Sequence, residues 1–416
     1  MAIDFTLNAQ QQALQKAARD FAEQVLTKVK PAIAGLARPE ERFFATRPLY
    51  RQMVKAGYFA ALIPREYGGG GATTVDLTLA AEEFARVDVN LPTTLLSSGL
   101  ALKPLMLYGT DAQKRRFFGD FLKPEHDYVA SFAFTEEQGG ANLECPDPSA
   151  GIQTFARREG DEWIISGRKS HPTNGGGWDG KGAHLYAVLC RTDPSKPPLE
   201  SSAIIMVPGD AEGIEVTGYI DTLGHRATCS PHIAFNEVRV PVENLVGRPG
   251  QGTAICKRCF SWTGALIGGI CTGIMRAAFD CAYEFAKTDK RAGTVPIIDH
   301  PTVGYQLVDL RIRIEASRYL AWKASHYIDT TDYRGEELGI MAKIHCSESC
   351  VQAVYDAMRI VGVTSYSDRM PLAGLMQEAL AFPIYDGGNM GVRRRWLYEM
   401  LKTPDYNPLA AAQGVA

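Results

Sequence analysis

Apolar residues in the first 125 positions recur at helical spacing. Leu14, Ala17, Phe21 and Val25 fall on one stripe, and Asn8 to Gln11 has the form of a capping box. From 126 to 247 the pattern changes to short strand-length runs. Strand-like stretches within Gln153 to Ser170 flank Glu159-Gly160-Asp161-Glu162, a hairpin signal. Leu185 to Cys190, Ala203 to Val207 and His232 to Val240 are further short strands, with turns such as Pro208-Gly209 between them. Helical spacing then returns. Trp262 to Lys287 is rich in small residues (Gly264, Gly268, Gly269, Gly273), whose cost in a helix implies close approach of another helix or a ligand. Leu307, Leu310, Ile314, Ser317 and Ala321 mark a second helix, Leu338 to Val361 a third and Leu372 to Phe382 a fourth.

The order is helices, a small β region, then helices, with no βαβ alternation. This predicts an α+β, mainly α protein: an N-terminal helical domain (1–125), a central β-barrel or sandwich domain (126–247) and a C-terminal helical bundle (248–416). A Rossmann fold and a TIM barrel do not fit. The four glycines Gly68 to Gly71 lack the Lys-Ser/Thr of a phosphate loop and read as a connection.

Composition narrows the classes. A net charge of −3 carries no footprint for nucleic acid. The amphipathic start, Met1 to Asp20, has no apolar signal core, and no uninterrupted apolar run reaches the roughly 18 residues of a membrane span. Ala410 to Ala416 carries no lipidation or retrieval motif. Nine scattered cysteines, an odd number, suit a reducing compartment and a cytoplasmic location. Cys256-Lys-Arg-Cys259 has no second ligand pair at metal spacing, so no metal is expected.

The candidate chemistry sits near the C-terminus, in Pro383-Ile384-Tyr385-Asp386-Gly387-Gly388-Asn389-Met390-Gly391-Val392-Arg393. A carboxylate on a Gly-Gly turn follows a long apolar helix, with an arginine seven residues on. By themselves these residues fit either a solvated Asp-Gly turn or a general base held near a cation.

Motifs along the whole chain resemble the acyl-CoA dehydrogenase family of FAD enzymes. Phe134-Thr135-Glu136-Glu137-Gln138-Gly139-Gly140-Ala141-Asn142 is similar to the family's flavin loop, which more often ends Gly-Ser-Asp. Trp163 to Lys169 followed by His171-Pro172-Thr173-Asn174 is similar to the strand against the flavin ring. Phe235 to Pro241 with Asn244-Leu245 resembles the strand leaving that domain. The resemblance implies flavin contacts from Phe134, Thr135, Gly140, Ala141, Asn142, His171, Thr173, Gly387 and Gly388. It also implies Arg291 and His300 near the pyrophosphate and Gly362 on the adenine side, reaching a neighbouring subunit's cofactor in a homotetramer. Pro301 stands where the family often has glutamine and has no amide to donate.

The family commonly reads Ile-Tyr-Glu-Gly-Thr-Asn; this chain reads Ile384-Tyr385-Asp386-Gly387-Gly388-Asn389. The aspartate resembles the nitroalkane oxidase branch, as do Ala45-Thr46-Arg47-Pro48, Asn174-Gly175-Gly176-Gly177-Trp178-Asp179 and Arg393-Arg394-Arg395. That branch implies FAD-dependent oxidation of neutral nitroalkanes to aldehydes or ketones, with nitrite released and molecular oxygen reduced to hydrogen peroxide. Asp386 would take the α-proton, Arg393 would keep it ionised, and Thr263 would hydrogen-bond it, unless Thr263 only packs. Phe260, Trp262, Phe134 and Tyr385 are candidates for an alkyl channel. The alternatives are acyl-CoA desaturation and a specialised biosynthetic oxidase on the same scaffold.

Overall fold

The computed structural model describes residues 5–123, 125–331 and 336–413. Met1–Asp4 and 414–416, on which parts of the leader and tail expectations fall, lie outside the described residues.

The N-terminal part is built on α1 (Ala9–Val25), α2 (Thr74–Ala85) and α3 (Asn90–Tyr108), with shorter helices between. The Asn8–Gln11 capping box forms as the sequence predicts. Within the predicted stripe of α1, Val25 is buried and Phe21 packs against the core. Ala18, Ala22 and Val25 face the core, whereas Ala17 faces solvent.

Among the described residues eight strands follow: β1 (Ala130–Ala133), β2 (Phe155–Glu159), β3 (Glu162–Ser170), β4 (Leu185–Arg191), β5 (Ser202–Pro208), β6 (Ile214–Tyr219), β7 (Pro231–Pro241) and β8 (Leu245–Val246). Their hydrogen-bonded order is β6-β7-β3-β2-β4-β5-β8, and β1 runs parallel to β4. The predicted hairpin is β2–β3, closed at Glu159 and Glu162 with Gly160 at φ +58°. Strands β2 and β4 meet only at Phe155 and Arg191. Strands on both sides of that contact bury side chains in one cluster that includes Trp163, Ile165, Tyr186, Val188, Ile205 and Phe235. Strands β1, β6 and β8 are absent from the sequence pattern because each is short or only half-buried.

The C-terminal bundle comprises α4 (Gly252–Thr288), α5 (Pro301–Thr330), α6 (Glu336–Val361) and α7 (Pro371–Ala381). Helix α4 begins well before Trp262, its predicted start. It is apolar and long enough to cross a membrane by length and composition, contrary to the expectation from uninterrupted runs. Its apolar side chains are instead buried among its neighbours. A Cβ at Gly264 would lie 2.3 Å from the Gly339 carbonyl oxygen of α6, and one at Gly273 would lie 2.3 Å from the Glu82 carbonyl oxygen of α2. The small residues of α4 therefore admit neighbouring helices, not a ligand. Pro301 takes the first turn of α5, where a missing amide costs no helical bond.

Candidate active site

Helix α7 stops at Ala381 with Phe382 as its C-cap. The chain turns through Asp386 (φ +53°) and Gly387 (φ +66°), both left-handed, and the Asn389 amide donates to the Pro383 carbonyl at 2.8 Å. Aspartate tolerates this conformation better than most side chains, at about 1–2 kcal/mol. A single π turn, Asn389–Arg393, then leads into α8 (Arg394–Leu401). Such turns recur at functional sites because they interrupt the regular helical repeat.

The Asp386 carboxylate is 7% exposed and the Arg393 side chain is fully buried. Asp386 Oδ2 accepts hydrogen bonds from Arg393 Nη2 at 2.7 Å and Thr263 Oγ1 at 2.8 Å. Arg393 also holds the loop backbone: Nη2 donates to the Asp386 carbonyl at 2.9 Å, and Nη1 to the Phe260 carbonyl at 2.7 Å. Burial pulls the guanidinium below its ordinary value while Asp386 opposes the shift, and an arginine that starts so high stays charged. Arg394, one residue on, faces outward and pairs with Glu348 at 2.7 Å.

Beneath this pair lies Lys343 of α6, fully buried. Its Nζ donates to the Phe382 carbonyl at 2.6 Å and to Asn389 Oδ1 at 2.9 Å. Burial, reinforced by Arg393, pushes its ammonium down to about 7. Asn389 Nδ2 in turn donates to Ser347 Oγ at 3.0 Å and Glu348 Oε1 at 3.1 Å.

The loop after β1 closes over the same loop. Arg395 donates to Asn142 Oδ1 at 3.2 Å, and a Cβ at Gly391 would contact Ala141 at 3.5 Å. Phe134 meets Phe260 edge-to-face at 5.0 Å, and a Cβ at Gly140 would come within 2.4 Å of the Phe134 ring. The loop is anchored by Glu136. That carboxylate accepts from the amides of Gln153 and Thr154, from Thr154 Oγ1 and from buried Lys169. Burial opposes its ionisation, but Lys169 and these hydrogen bonds outweigh it and hold Glu136 below the ordinary carboxylate range. The Thr135 carbonyl accepts from the Ser170 amide at 2.8 Å, so Thr135 lies against the end of β3. There His171, at φ +61°, leads to Thr173, whose carbonyl accepts from Ser131 Oγ at 2.8 Å.

Asp386, Arg393, Thr263, Gly387 and Gly388 thus share one locus, bordered by Phe134, Gly140, Ala141 and Asn142. The remaining predicted residues do not join it. Arg291 lies beyond the C-terminus of α4, where its guanidinium donates to the Val361 carbonyl and to Thr364 Oγ1, beside Gly362. His300 caps α5 on the same connecting segment. The 25 helical steps of α4 from Thr263 to Thr288 span about 37 Å at helical rise. One small pocket cannot contain both groups. The candidate channel residues also separate. Phe260 and Phe134 pack together, Tyr385 faces His225 and Phe382, and Trp262 contacts the Gly99 region and lies under Lys103.

Sequence profiles of the acyl-CoA dehydrogenase N-terminal, middle and C-terminal domains match residues 8–125, 131–238 and 250–401. The chain is 36% identical over 431 residues to nitroalkane oxidase of Fusarium oxysporum, covering 99% of this chain and 98% of that one. It is 37% identical over 432 residues to nitroalkane oxidase of Podospora anserina, covering 100% and 99%. This chain belongs to the acyl-CoA dehydrogenase family, in its nitroalkane oxidase branch. Among solved structures, a nitroalkane oxidase active-site aspartate-to-asparagine mutant crystallised with 1-nitrooctane superposes with a TM-score of 0.95. It is 35% identical and covers 99% of this chain and 100% of that chain.

Within this acyl-CoA dehydrogenase fold, the Asn174-to-Asp179 stretch joins the β domain to the N-terminal helices. Asn174 Nδ2 donates to the Thr94 carbonyl of α3 at 2.8 Å. Trp178 stacks on Phe43 at 4.2 Å, and its Nε1 donates to the Asp127 carbonyl at 2.6 Å. Sequence reasoning missed Lys343 and Lys169. Lys343 is a lysine inside an apolar helix pattern, and that incongruity was the available signal; Lys169, beside Arg168 and Ser170, carried none.

Proposed function

We propose that this chain is an FAD-dependent oxidase of neutral nitroalkanes, giving aldehydes or ketones, nitrite and hydrogen peroxide. The observation that carries the reading is the pairing of the Asp386 carboxylate with buried Arg393 and with Thr263. Both bonds land on Oδ2, and among the described residues Oδ1 accepts none. Oδ1 is therefore the atom that takes the α-proton of the substrate. The nitro group acidifies that carbon by holding the negative charge left behind. Arg393 pairs with the Asp386 carboxylate and fixes the loop backbone, and Thr263 orients it by donating its one hydroxyl proton. Aspartate in place of glutamate withdraws the base by one methylene, which leaves room at the reacting carbon.

The residues fit FAD. Among the described residues, the hydroxyls of Thr135 and Thr173 and the amide of Thr135 find no partner in the chain, which leaves a row of donors at the end of β3. FAD bound there supplies the two-electron redox chemistry and passes electrons to molecular oxygen. Thr135, His171 and Thr173 would hold its ring side.

Arg291, His300 and Gly362 would serve a second subunit's cofactor in a homotetramer. Two features support this: the separation along α4, and the exposed apolar face of α5, with Tyr305 71%, Val308 55% and Ile312 61% exposed. A cytoplasmic location is supported by the nine cysteines, all present as thiols. Asp386→Asn tests the assignment. Nitrite release from nitroethane should be lost while the protein stays yellow, and undiminished turnover by this variant would refute Asp386 as the base.

A further inference from the structure

A fully buried ammonium is costly, and an apolar side chain would serve packing alone better. Lys343 is retained at 0% exposure, and both of its hydrogen bonds land on one short loop. One goes to the Phe382 carbonyl, where α7 ends and a cation is favoured by the free helix carbonyls. The other goes to Asn389, where the π turn begins. Asp386 lies between these two points, in the left-handed conformation. Asn389 is itself held to α6 by Ser347 and Glu348, and Glu348 is held in turn by Arg394. The chain of contacts α6, Lys343, Asn389, Glu348, Arg394 closes on both ends of the loop without touching the carboxylate.

We propose that Lys343 is a positioning residue for the base: its ammonium staples Phe382 to Asn389 and so fixes where the Asp386 carboxylate points. This rests on the reading of Asp386 as the proton acceptor. Arg393 holds the carboxylate directly, whereas Lys343 sets the span of backbone from which it projects. The ammonium meets the site's demands. Two acceptors on different segments need a compact multiple donor, and the Lys343 ammonium reaches both the Phe382 carbonyl and Asn389 Oδ1 from one nitrogen.

The test uses the flavin-loaded enzyme and the Lys343→Met variant, which keeps the apolar stem and removes the donors. Two substrates are compared: neutral nitroethane, which must lose its α-proton to Asp386, and preformed ethyl nitronate, which has already lost it. Turnover of nitroethane, as kcat/KM, is expected to fall about 100-fold, the scale of a misplaced reacting group. Nitronate turnover is expected to stay near that of the unaltered enzyme. Amide exchange across residues 384–389 is expected to quicken about tenfold or more. Asn389→Ala should reproduce the pattern, and the double variant should lose little beyond the worse single change, since both act through one contact. Equal loss on both substrates, or unchanged exchange in the loop, would overturn the proposal. If the unaltered enzyme ignores nitroethane, the proposed function fails, and the exchange measurement still decides whether Lys343 orders the loop. Should Lys343→Met not fold, Asn389→Ala carries the same comparison.

Discussion

Arg393 grips Asp386 at two points, donating through Nη2 to the carboxylate Oδ2 at 2.7 Å and to the backbone carbonyl at 2.9 Å. The side chain and the backbone of the base are thus fixed by one guanidinium that no solvent reaches. The same guanidinium also reaches the Phe260 carbonyl through Nη1 and the Gly387 carbonyl through Nε, a span that a single ammonium does not cover. Arg393→Lys should lower kcat/KM by about 100-fold or more. Arg393→Met should also cost about 3–5 kcal/mol of stability, because it strands a buried carboxylate. Steady-state kinetics and thermal unfolding of the two variants separate these effects.

Thr263 has one proton to give. Its oxygen is 2.8 Å from Asp386 Oδ2 and 3.1 Å from the Phe260 carbonyl, and the latter already has Arg393 Nη1 at 2.7 Å. The hydroxyl therefore belongs to Asp386. Thr263→Ala should reduce kcat/KM by about tenfold, the worth of a hydrogen bond to a charged group, and Thr263→Ser should remain close to the parent. Equal losses in both would assign the effect to the methyl group.

The broad architecture was legible because it rests on periodicity. The stripe Leu307, Leu310, Ile314, Ser317 and Ala321 is buried in α5 as predicted, and the β2–β3 hairpin follows from its Glu-Gly-Asp-Glu turn. Asp386, Arg393 and Thr263 were legible through resemblance, and the structure brings all three together. Composition could not place the partners that hold them. Lys343 and Asn389 lie 46 residues apart, and the pair Glu136 and Lys169 lie 33 apart, so each is joined only by tertiary folding. The Ala17 error has a simple cause: alanine is apolar enough to join either face, so the stripe read from sequence takes in Ala17 where Ala18 is the buried position.

Helix α4 gives a test of close packing. Gly264→Ala would drive a Cβ to 2.3 Å from a backbone oxygen of α6, and neither helix can yield cheaply. A loss of about 1–3 kcal/mol or more is expected. Gly374, inside α7, has nothing within 4 Å of its added Cβ. Gly374→Ala should stabilise by about 0.5–1 kcal/mol through helix propensity alone. Opposite signs in thermal unfolding are the expected result.

Glu378 accepts the His225 amide, and burial pushes its carboxyl from the ordinary 4.5 up to about 7. Its side chain is 21% exposed, which moderates the energy involved. Between these values the folded protein binds the proton and the unfolded chain does not. The stability that Glu378 contributes is therefore fully present below about pH 4.5 and is lost as pH rises through about 7. Glu378→Gln keeps the acceptor and cannot ionise. The variant should match the parent at low pH and exceed it by about 2 kcal/mol at pH 8. A constant difference across pH would contradict this.

The central claim is that Asp386 takes a proton from a nitroalkane and the electrons leave through the flavin. The most direct measurement is anaerobic mixing of the yellow protein with nitroethane and, separately, with a medium-chain acyl-CoA. Absorbance of the flavin is followed, air is admitted, and nitrite is assayed. Bleaching by nitroethane, with nitrite released and colour restored by air, is the expected result. Bleaching by the thioester alone would contradict it and make the chain a dehydrogenase.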